Sequence, residues 1–363
     1  MPSFQFHPGF AGNSIRTNPW QPHEVLVCTG DNFGISGTGK VYILSAGAPD
    51  ASGPAPPGHD PCFRFMNGFG TLDGAFDACY SEVAPNVIVV AQGDGVRLYD
   101  VASINPMGIT PPMAAPVGHT GEVVSVDWSP HKQDTFISSS WDATVKVWAG
   151  SRLDAGPINA FIGHLKEVYE AQYHPRAPHL VASCSGDGTW RLWDLRANKP
   201  GGMVCVPGHG ADLVLSLDWN RYETNLLATG SVDRTARLWD IRRPTKPLVV
   251  LTGHEAAVRR VRFSPHSRTQ IATSGYDFRV NVWDLQRRPQ FLTHRYEQHR
   301  EFVVGCEWSM ATPGALMSAS WDGTAFAWTV GRPPMMTPPQ EQPPLPECMA
   351  PPRPPGMSRM IRR

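Results

Sequence analysis

Residues 118–148 read GHTGEVVSVDWSPHKQDTFISSSWDATVKVW, and the marker residues of this stretch recur along the chain. A histidine returns at intervals of 45 residues, at His119, His164, His209, His254 and His299. Each histidine is followed, at a nearly fixed distance, by a serine or threonine, an aspartate and a tryptophan. An interval this regular indicates that one supersecondary unit is repeated along the chain.

The four markers of each unit form a set that we call a tetrad. Short segments such as VVSVDW and TVKVW lie between the markers and are bounded by turn residues, which predicts strands. This is the pattern of the WD repeat, in which four strands make one blade of a propeller. The five tetrads are His119, Ser138, Asp142 and Trp148; His164, Ser183, Asp187 and Trp193; His209, Thr229, Asp233 and Trp239; His254, Thr273, Asp277 and Trp283; and His299, Ser318, Asp322 and Trp328.

The tetrads contain the residue types of a nucleophilic triad, but their repetition favours a structural role. An indole N–H, a hydroxyl, an imidazole and a carboxylate can form one hydrogen-bonded chain, which spares each buried group a penalty of roughly 1–3 kcal/mol. Catalytic triads occur once and lie in a cleft. Histidines on successive blades should be spread around a ring, so a shared metal ion is disfavoured. We therefore predict no catalytic residue, metal or cofactor.

Two earlier units are degenerate copies of the same pattern. The segment Val87–Tyr99 has the appearance of two blade strands, and so do Val25–Thr29 and Lys40–Leu44. Residues 10–330 correspond to about seven repeat lengths, so the predicted fold is an all-β, seven-bladed propeller over residues 1–330.

Three segments lie outside the repeat. The last unit ends at its third strand, so residues 1–8, through Phe4–Phe6, are predicted to supply the missing strand and close the ring. The Pro/Gly-rich stretch 46–61 is predicted to be an exposed loop. Residues 331–363 are rich in proline and are predicted to be a disordered tail, with docking of its PPLP and PPRPP stretches to a proline-binding groove as an alternative.

The composition limits the classes of partner. Lys+Arg and Asp+Glu balance at 32 each, which argues against broad nucleic-acid binding. The 7 cysteines are scattered and form no CxxC pair, as expected for reduced thiols in an intracellular protein. We find neither a secretory signal nor an apolar run long enough to span a bilayer, and we expect a soluble cytosolic protein.

The stretches that break the repeat are more specific. Taken together, residues 32–44 (NFGISGTGKVYIL), 73–82 (DGAFDACYSE), 259–265 (RRVRFSP) and 276–280 (YDFRV) resemble the peroxisomal targeting signal type 2 receptors, the peroxin-7 family. The resemblance covers roughly residues 9–330. It departs from the family at Tyr80, which replaces an expected tryptophan, in the Pro/Gly-rich loop and in the tail.

The resemblance implies a cytosolic import receptor. Proteins of this family bind an N-terminal cargo signal of the form Arg-Leu-x5-His-Leu, read as an amphipathic helix. They act with a co-receptor, which is the long form of the type-1 signal receptor in animals and plants and a dedicated partner in fungi. The complex reaches docking proteins at the peroxisomal membrane without inserting into the bilayer, and the receptor is recycled to the cytoplasm.

One face of the propeller gathers the candidate cargo-binding residues. Acidic side chains precede the first strand of several blades, and an Arg and a His seven residues apart lie on one side of a helix, where carboxylates could meet both. Large aromatic residues precede three tetrad aspartates and would anchor an apolar flank. Solvated loop charges and packing between blades are the respective alternatives. The candidates are Glu122, Glu167, Asp212, Glu301, Asp73, Trp141, Tyr276 and Trp321.

Two other functions are compatible with a propeller. The sequences Trp193-Asp194-Leu195-Arg196 and Trp239-Asp240-Ile241-Arg242 carry a WDxR ending, which also marks substrate adaptors of cullin-type ubiquitin ligases. A propeller hydrolase would need an acid and a base at the channel mouth, and the sequence has no distinctive nucleophile, phosphate loop or metal spacing. We therefore expect a binding protein and not an enzyme.

Overall fold

The computed structural model describes residues 3–6, 9–32, 37–47, 62–106, 108–131, 134–197 and 204–331. These residues form seven antiparallel sheets, the blades of a propeller. A short strand, β1 (Ser3–Gln5), precedes the first blade. Blades 1 to 3 consist of β2 (Phe10–Thr17), β3 (Glu24–Asp31), β4 (Gly39–Gly47) and β5 (Cys62–Thr71); β6 (Ala75–Tyr80), β7 (Val87–Gln92) and β8 (Gly95–Asp100); and β9 (Val123–Trp128), β10 (Thr135–Ser140), β11 (Thr144–Ala149) and β12 (Asn159–Ile162).

Blades 4 to 7 continue the same order of strands. Two 3-10 helices, Val101–Ser103 and Leu153–Ala155, follow the third strands of blades 2 and 3. The strands are β13 (Val168–Tyr173), β14 (Leu180–Ser185), β15 (Thr189–Asp194) and β16 (Val204–Pro207); β17 (Val214–Trp219), β18 (Leu226–Ser231), β19 (Thr235–Asp240) and β20 (Val249–Thr252); β21 (Val258–Phe263), β22 (Gln270–Gly275), β23 (Val280–Asp284) and β24 (Leu292–Tyr296); and β25 (Val303–Trp308), β26 (Ala315–Ser320) and β27 (Thr324–Thr329).

The predicted seven-bladed propeller is confirmed, including the two degenerate blades. Blade 2 has three named strands, and a loop takes the place of the fourth. In that loop Met113 donates its backbone N–H to the Leu98 carbonyl, and Leu98 donates to Ala114 in return. Residues 48–61 and 332–363 lie outside the described residues, while Ala46 and Gly47 belong to β4.

The N-terminal strand β1 supplies the fourth strand of blade 7. It pairs antiparallel with β27, with Phe4 opposite Ala325. Phe6 follows this strand and donates its backbone N–H to the Gly323 carbonyl at 2.8 Å. Its ring is buried against Tyr42 of blade 1. The two ends of the described chain are therefore joined in one sheet, which removes an open strand edge.

Apolar side chains pack between adjacent blades and hold the ring together. Trp190 of blade 4 and Trp239 of blade 5, for example, are buried with ring centroids 5.7 Å apart. The first strand of each blade lines the central channel. We call the face that carries the loops before the first strands and between the second and third strands the upper face, and the opposite face the lower face.

Candidate functional site

The tetrads form buried hydrogen-bonded chains beneath the upper face. In blade 3, the Trp148 indole N–H donates to Ser138 Oγ at 2.8 Å, and His119 Nε2 lies 2.7 Å from the same oxygen. His119 Nδ1 lies 2.7 Å from an Asp142 carboxylate oxygen. Blades 4, 5 and 6 repeat these contacts at 2.7–3.0 Å.

In blade 3 the environment of the tetrad favours a neutral imidazole. Burial lowers the pKa of His119, and the neighbouring Asp142 only partly offsets this effect. Burial alone would raise the pKa of Asp142, but hydrogen bonds from His119 and Thr144 hold it well below its ordinary value. His119 Nδ1–H therefore donates to the carboxylate, and Nε2 accepts from the Ser138 hydroxyl. Ser138 has no exposed surface and cannot reach a substrate, so the hydrogen-bonded tetrad is a structural strut.

The fifth tetrad corrects the prediction for Trp328. His299 bonds Asp322 and Ser318 at 3.1 and 2.6 Å, as in the other blades. The Trp328 indole N–H, however, has no hydrogen-bond partner among the described residues. Its ring is held instead by stacking on Tyr296, with centroids 4.7 Å apart, so the predicted bond to Ser318 is wrong.

Each tetrad aspartate begins a tight turn that fixes the upper face. The following residue has a positive φ in all five turns; it is glycine in blades 4 and 7 and Ala143, Arg234 and Phe278 in the others. A non-glycine residue in this region costs roughly 1–2 kcal/mol, most notably for a ring as bulky as Phe278. The residue before the aspartate lies at the upper face. Its backbone N–H donates to the carbonyl of a residue just before the first strand of the same blade.

This backbone contact defines the equivalent positions of the candidate acids. Trp141 bonds the carbonyl of Glu122, and Gly186 bonds that of Glu167, both at 2.9 Å. In blades 5, 6 and 7 the carbonyl belongs to Leu213, Ala257 and Phe302. Asp212 and Glu301 therefore lie one residue before the equivalent positions, and both are exposed.

The structure brings some of the candidate acids together. Burial and then the Asp73 carboxylate raise the pKa of Glu122, so these two side chains of neighbouring blades share one electrostatic environment. The Glu167 carboxylate lies over Gly186, where an added Cβ would be 3.0 Å from it. Glu301 interacts with its own tetrad residue Asp322, and its pKa is raised mainly by burial. Among the described residues, none of the five candidate acids forms an ion pair.

The candidate aromatic residues divide into two groups. Trp141 is 46% exposed in its turn. Tyr276 and Trp321 instead pack against Phe302, with ring centroids 4.4 and 5.4 Å apart, and Phe278 lies 5.8 Å from the same ring. Tyr276 thus packs across blades 6 and 7, whereas Trp321 packs within blade 7 and donates its indole N–H to Asn13 of blade 1, and both side chains remain only partly accessible.

Several residues of this face were not identified from the sequence. Phe302 is the centre of the aromatic group, and its position just before β25 gave no signal because blades 3 to 6 have Glu, Leu or Ala there. The pKa of Tyr169 is raised by burial and by Glu167 and lowered by Arg259. Glu167, Tyr169 and Arg259 therefore lie near one another at the upper channel mouth, in blades 4 and 6.

The channel contains an ion network that the sequence did not reveal. Glu170 lies 2.7 Å from Arg262, 3.2 Å from Arg260 and 3.6 Å from Arg16, and Arg16 also pairs with Asp77 at 2.7 Å. These residues come from the first strands of four blades. Burial opposes ionisation of Glu170, but the three guanidiniums overcome it and hold the pKa of this carboxyl far below its ordinary value.

Below this network the channel widens into a cavity of about 350 Å³ at the lower face. Asp127 and Asp218 line it, and each accepts one backbone N–H from the next blade, from Tyr173 and Phe263. Among the described residues, neither carboxylate forms an ion pair. Burial raises the pKa of Asp127 to about 7 and that of Asp218 to about 6.

Comparison with known proteins places the chain among receptors. Residues 112–149, 156–194, 203–240 and 245–284 match the sequence profile of the WD domain, G-beta repeat. The chain is 38% identical to the Peroxisome biogenesis protein 7 of Arabidopsis thaliana over 330 residues, which cover 91% of this chain and 98% of that protein. The Peroxisomal targeting signal 2 receptor of Dictyostelium discoideum matches with the same identity and the same coverage.

The chain belongs to the peroxisomal targeting signal 2 receptor family. The Homo sapiens Peroxisomal targeting signal 2 receptor is 35% identical over 300 residues, or 82% of this chain and 86% of that protein. The four repeats matched by the WD profile all lie within blades 3 to 6 and the loops beside them, whereas these family members also match blades outside that region. In the part of the chain that the structure describes, no helix has the length and apolar character needed to span a membrane.

Proposed function

We propose that this chain is an import receptor that binds the type 2 peroxisomal targeting signal of cargo proteins and delivers them to the peroxisomal matrix import machinery. The observation that carries the proposal is 38% identity, over 91% of the chain, to proteins named for this pathway or this signal. A match of this extent includes the stretches that break the repeat, and not only the tetrads common to WD propellers.

The acidic part of the upper face is the proposed site for the cationic residues of the signal. An Arg and a His seven residues apart lie two helical turns apart on one side. Glu122 beside Asp73, and Glu167 one blade further on, offer carboxylates that form no ion pair within the part of the chain that the structure describes. Such carboxylates favour a guanidinium or an imidazolium, and they lose little internal pairing when the ligand binds. Asp212 and Glu301 would extend this negatively charged surface toward blades 5 and 7.

Aromatic side chains are proposed to bind the leucines of the signal. Trp141 donates its backbone N–H to the Glu122 carbonyl, so the two residues are neighbours. Trp141 also has the most exposed side chain of the three candidates. A large apolar ring next to a carboxylate suits a helix whose cationic and leucine residues are adjacent. The accessible parts of Tyr276 and Trp321 are proposed as a second, weaker contact because most of each ring is already used against Phe302.

The remaining partners follow from the same proposal. A signal helix that lies on an open face stays partly exposed to solvent. A co-receptor that covers the helix would therefore raise the affinity of the receptor for the signal. We propose that this co-receptor is the long form of the type-1 signal receptor or a fungal-type equivalent, and that the complex meets docking proteins at the peroxisome. The receptor would cycle between cytoplasm and peroxisome and would perform no catalysis, since the hydroxyl, imidazole and carboxylate groups of its tetrads are used in buried struts.

Binding of a fluorescent helical peptide with the Arg-Leu-x5-His-Leu pattern tests the site. Replacing Glu122→Gln and Glu167→Gln together should weaken the affinity at least about tenfold, because each charge-assisted contact typically contributes more than 1 kcal/mol. The matched control is Asp154→Asn with Glu223→Gln, which removes two exposed carboxylates from the lower face. Equal affinity of both variants would exclude Glu122 and Glu167 from the site. A wild-type chain that does not bind the peptide, alone or with cytosolic extract, would contradict the receptor function.

The alternative role as a ubiquitin-ligase adaptor has weaker support. In both WDxR sequences the arginine is paired with the aspartate of its own motif, Arg196 with Asp194 and Arg242 with Asp240, at 2.7 Å. These bonds also involve the backbone N–H of each arginine, so the motif closes a turn at the end of the third strand. The comparisons favour the receptor function over this alternative.

A further inference from the structure

A group of exposed cations lies on the lower face of the propeller, although the whole chain is formally neutral. The upper face holds the acidic residues described above. On the lower face, arginine and lysine side chains project from the loops of blades 4, 5 and 6, both near the channel and at the rim. Five exposed cations in these loops form no ion pair among the described residues, and we call them the basic patch: Arg176, Arg221, Arg243, Lys246 and Arg288.

The basic patch is spread over three blades that are held rigidly together. His174 bonds the Thr224 carbonyl in the next blade at 2.9 Å, and Asn220 bonds the Arg268 carbonyl at 2.9 Å. These bonds connect the inner loops of blades 4, 5 and 6. Arg176 and Arg221 lie at the cavity between these inner loops, whereas Arg243, Lys246 and Arg288 lie in outer loops and do not line it, so the patch extends over a broad surface. The cavity between the inner loops is lined by Asp127 and Asp218 as well as by Arg176 and Arg221 of the basic patch.

Apolar side chains accompany the cations in the middle blade. Tyr222 is 38% exposed in the inner loop and Leu248 is 58% exposed at the end of the outer loop. Tyrosine is enriched at membrane–water interfaces because its ring is apolar and its hydroxyl is polar. Tyr222 donates its hydroxyl to the Pro265 carbonyl at 2.8 Å, and its side chain remains partly exposed.

We propose that the basic patch binds the surface of a bilayer that contains anionic phospholipids. A planar array of headgroups can meet cations in three blades at once, whereas a short acidic peptide would reach only the cations of one or two loops. Basic residues near such a surface add attraction that is screened by salt, and an exposed Tyr and Leu can reach the interface. The candidate acids lie on the opposite, upper face, so the bound propeller would present them to the aqueous side.

Sedimentation with vesicles tests this proposal on the full chain. Wild-type protein should sediment with phosphatidylcholine vesicles that contain phosphatidylserine, remain in solution with pure phosphatidylcholine, and be released at high salt. The triple variant Arg243→Glu, Lys246→Glu and Arg288→Glu should bind the anionic vesicles at least about tenfold more weakly. The matched control is Lys166→Glu, Arg234→Glu and Arg300→Glu, an equal change of charge at exposed upper-face residues, and it should bind like the wild type.

Further measurements separate this proposal from its competitors. Equal loss of binding in both triple variants would mean that net charge alone is responsible and would overturn the proposal. Release by soluble glycerophosphoserine would point to a site for a free phosphate group, and binding to soluble polyglutamate without binding to vesicles would point to an acidic protein. Either result would overturn it. The inference does not depend on the cargo site, and the lower-face variant should keep its affinity for the signal peptide.

Discussion

The guanidinium of Arg262 in blade 6 lies 2.7 Å from the carboxylate of Glu170 in blade 4, although 92 residues separate them in the sequence. Both side chains are almost fully buried, at 4% and 0% exposure. Their contact crosses the channel and links non-adjacent blades, in addition to the packing of each blade on its neighbour. Because the carboxylate also meets Arg260 and Arg16, its charge is compensated from three directions.

Removing one partner of this network should destabilise the whole ring. Arg262→Met should lower the free energy of unfolding by about 2–4 kcal/mol, because it leaves the buried Glu170 charge under-compensated. Urea denaturation followed by tryptophan fluorescence measures the change. Arg196→Met, which breaks an exposed pair at the same distance, should leave the midpoint unchanged. Similar midpoints for the two variants would show that the channel network contributes no net stability.

A raised carboxyl pKa in the channel predicts a specific dependence on pH. The folded chain holds the Asp127 proton more tightly than the unfolded chain, because burial raises its pKa to about 7. Stability from this group therefore falls as the pH rises from about 4 to about 7, and the loss is complete above that. Asp127→Asn should stabilise the protein at pH 8 by an amount on the order of 1–2 kcal/mol, and by less at pH 5.

Thermal melts of Asp127→Asn and wild type at the two pH values provide the measurement. The control is Asp154→Asn, a change at an exposed residue of the lower face. It should change the unfolding temperature by the same small amount at both pH values. The explanation fails if the gain from Asp127→Asn is equally large at pH 5 and pH 8. The substitution keeps an oxygen that can accept the Tyr173 N–H, so the hydrogen bond is not what is being tested.

The difference between the tetrads can be measured directly. Ser138→Ala leaves the Trp148 indole and the His119 ring without their shared partner, and it should cost about 2–4 kcal/mol. Ser318→Ala should cost about 1 kcal/mol less, because the Trp328 indole makes no bond that could be lost. Chemical denaturation of the two variants compares them. Equal losses would mean that the indole contact adds nothing to the strut.

Closure of the ring by the N-terminus predicts a large effect from a small deletion. Phe6→Ala should lower the free energy of unfolding by about 3–5 kcal/mol, as expected for a buried aromatic ring, and deletion of residues 1–8 should lower it further. Gln5→Ala, at an exposed position of β1, should have little effect. Differential scanning calorimetry gives the unfolding temperature, and an unchanged value after the deletion would rule out a stabilising role for β1.

The repeated polar residues made the fold predictable. Each tetrad needs its histidine, hydroxyl, aspartate and tryptophan at fixed distances, since a one-residue slip along a strand turns a side chain to the other face. This spacing predicts blades 3 to 7. Blades 1 and 2 lack the tetrad and were recognised only by repeat length and strand composition, so the loop that replaces the fourth strand of blade 2 could not be foreseen.

The candidate site was less predictable because it depends on contacts between blades. Glu122 and Asp73 are in different repeats, and nothing in their spacing shows that their charges interact. The stretches 73–82 and 259–265, which carry the family resemblance, supply Asp77, Arg260 and Arg262 to the channel network. Residues that depart from the repeat can thus form buried contacts as well as binding surfaces. Only the three-dimensional structure shows which of these two roles a given residue has.

The pairing of β1 with β27 has a consequence during biosynthesis. Phe4 is synthesised long before its partner Ala325, which belongs to β27, the last strand of blade 7 in the sequence. At about 5–20 residues per second, the N-terminal strand waits roughly 15–65 s before it can pair. For that interval the aromatic segment with Phe4 and Phe6 lacks its partner strand. Exposure of an unpaired strand favours aggregation, so the time at risk depends on elongation speed as well as on native stability.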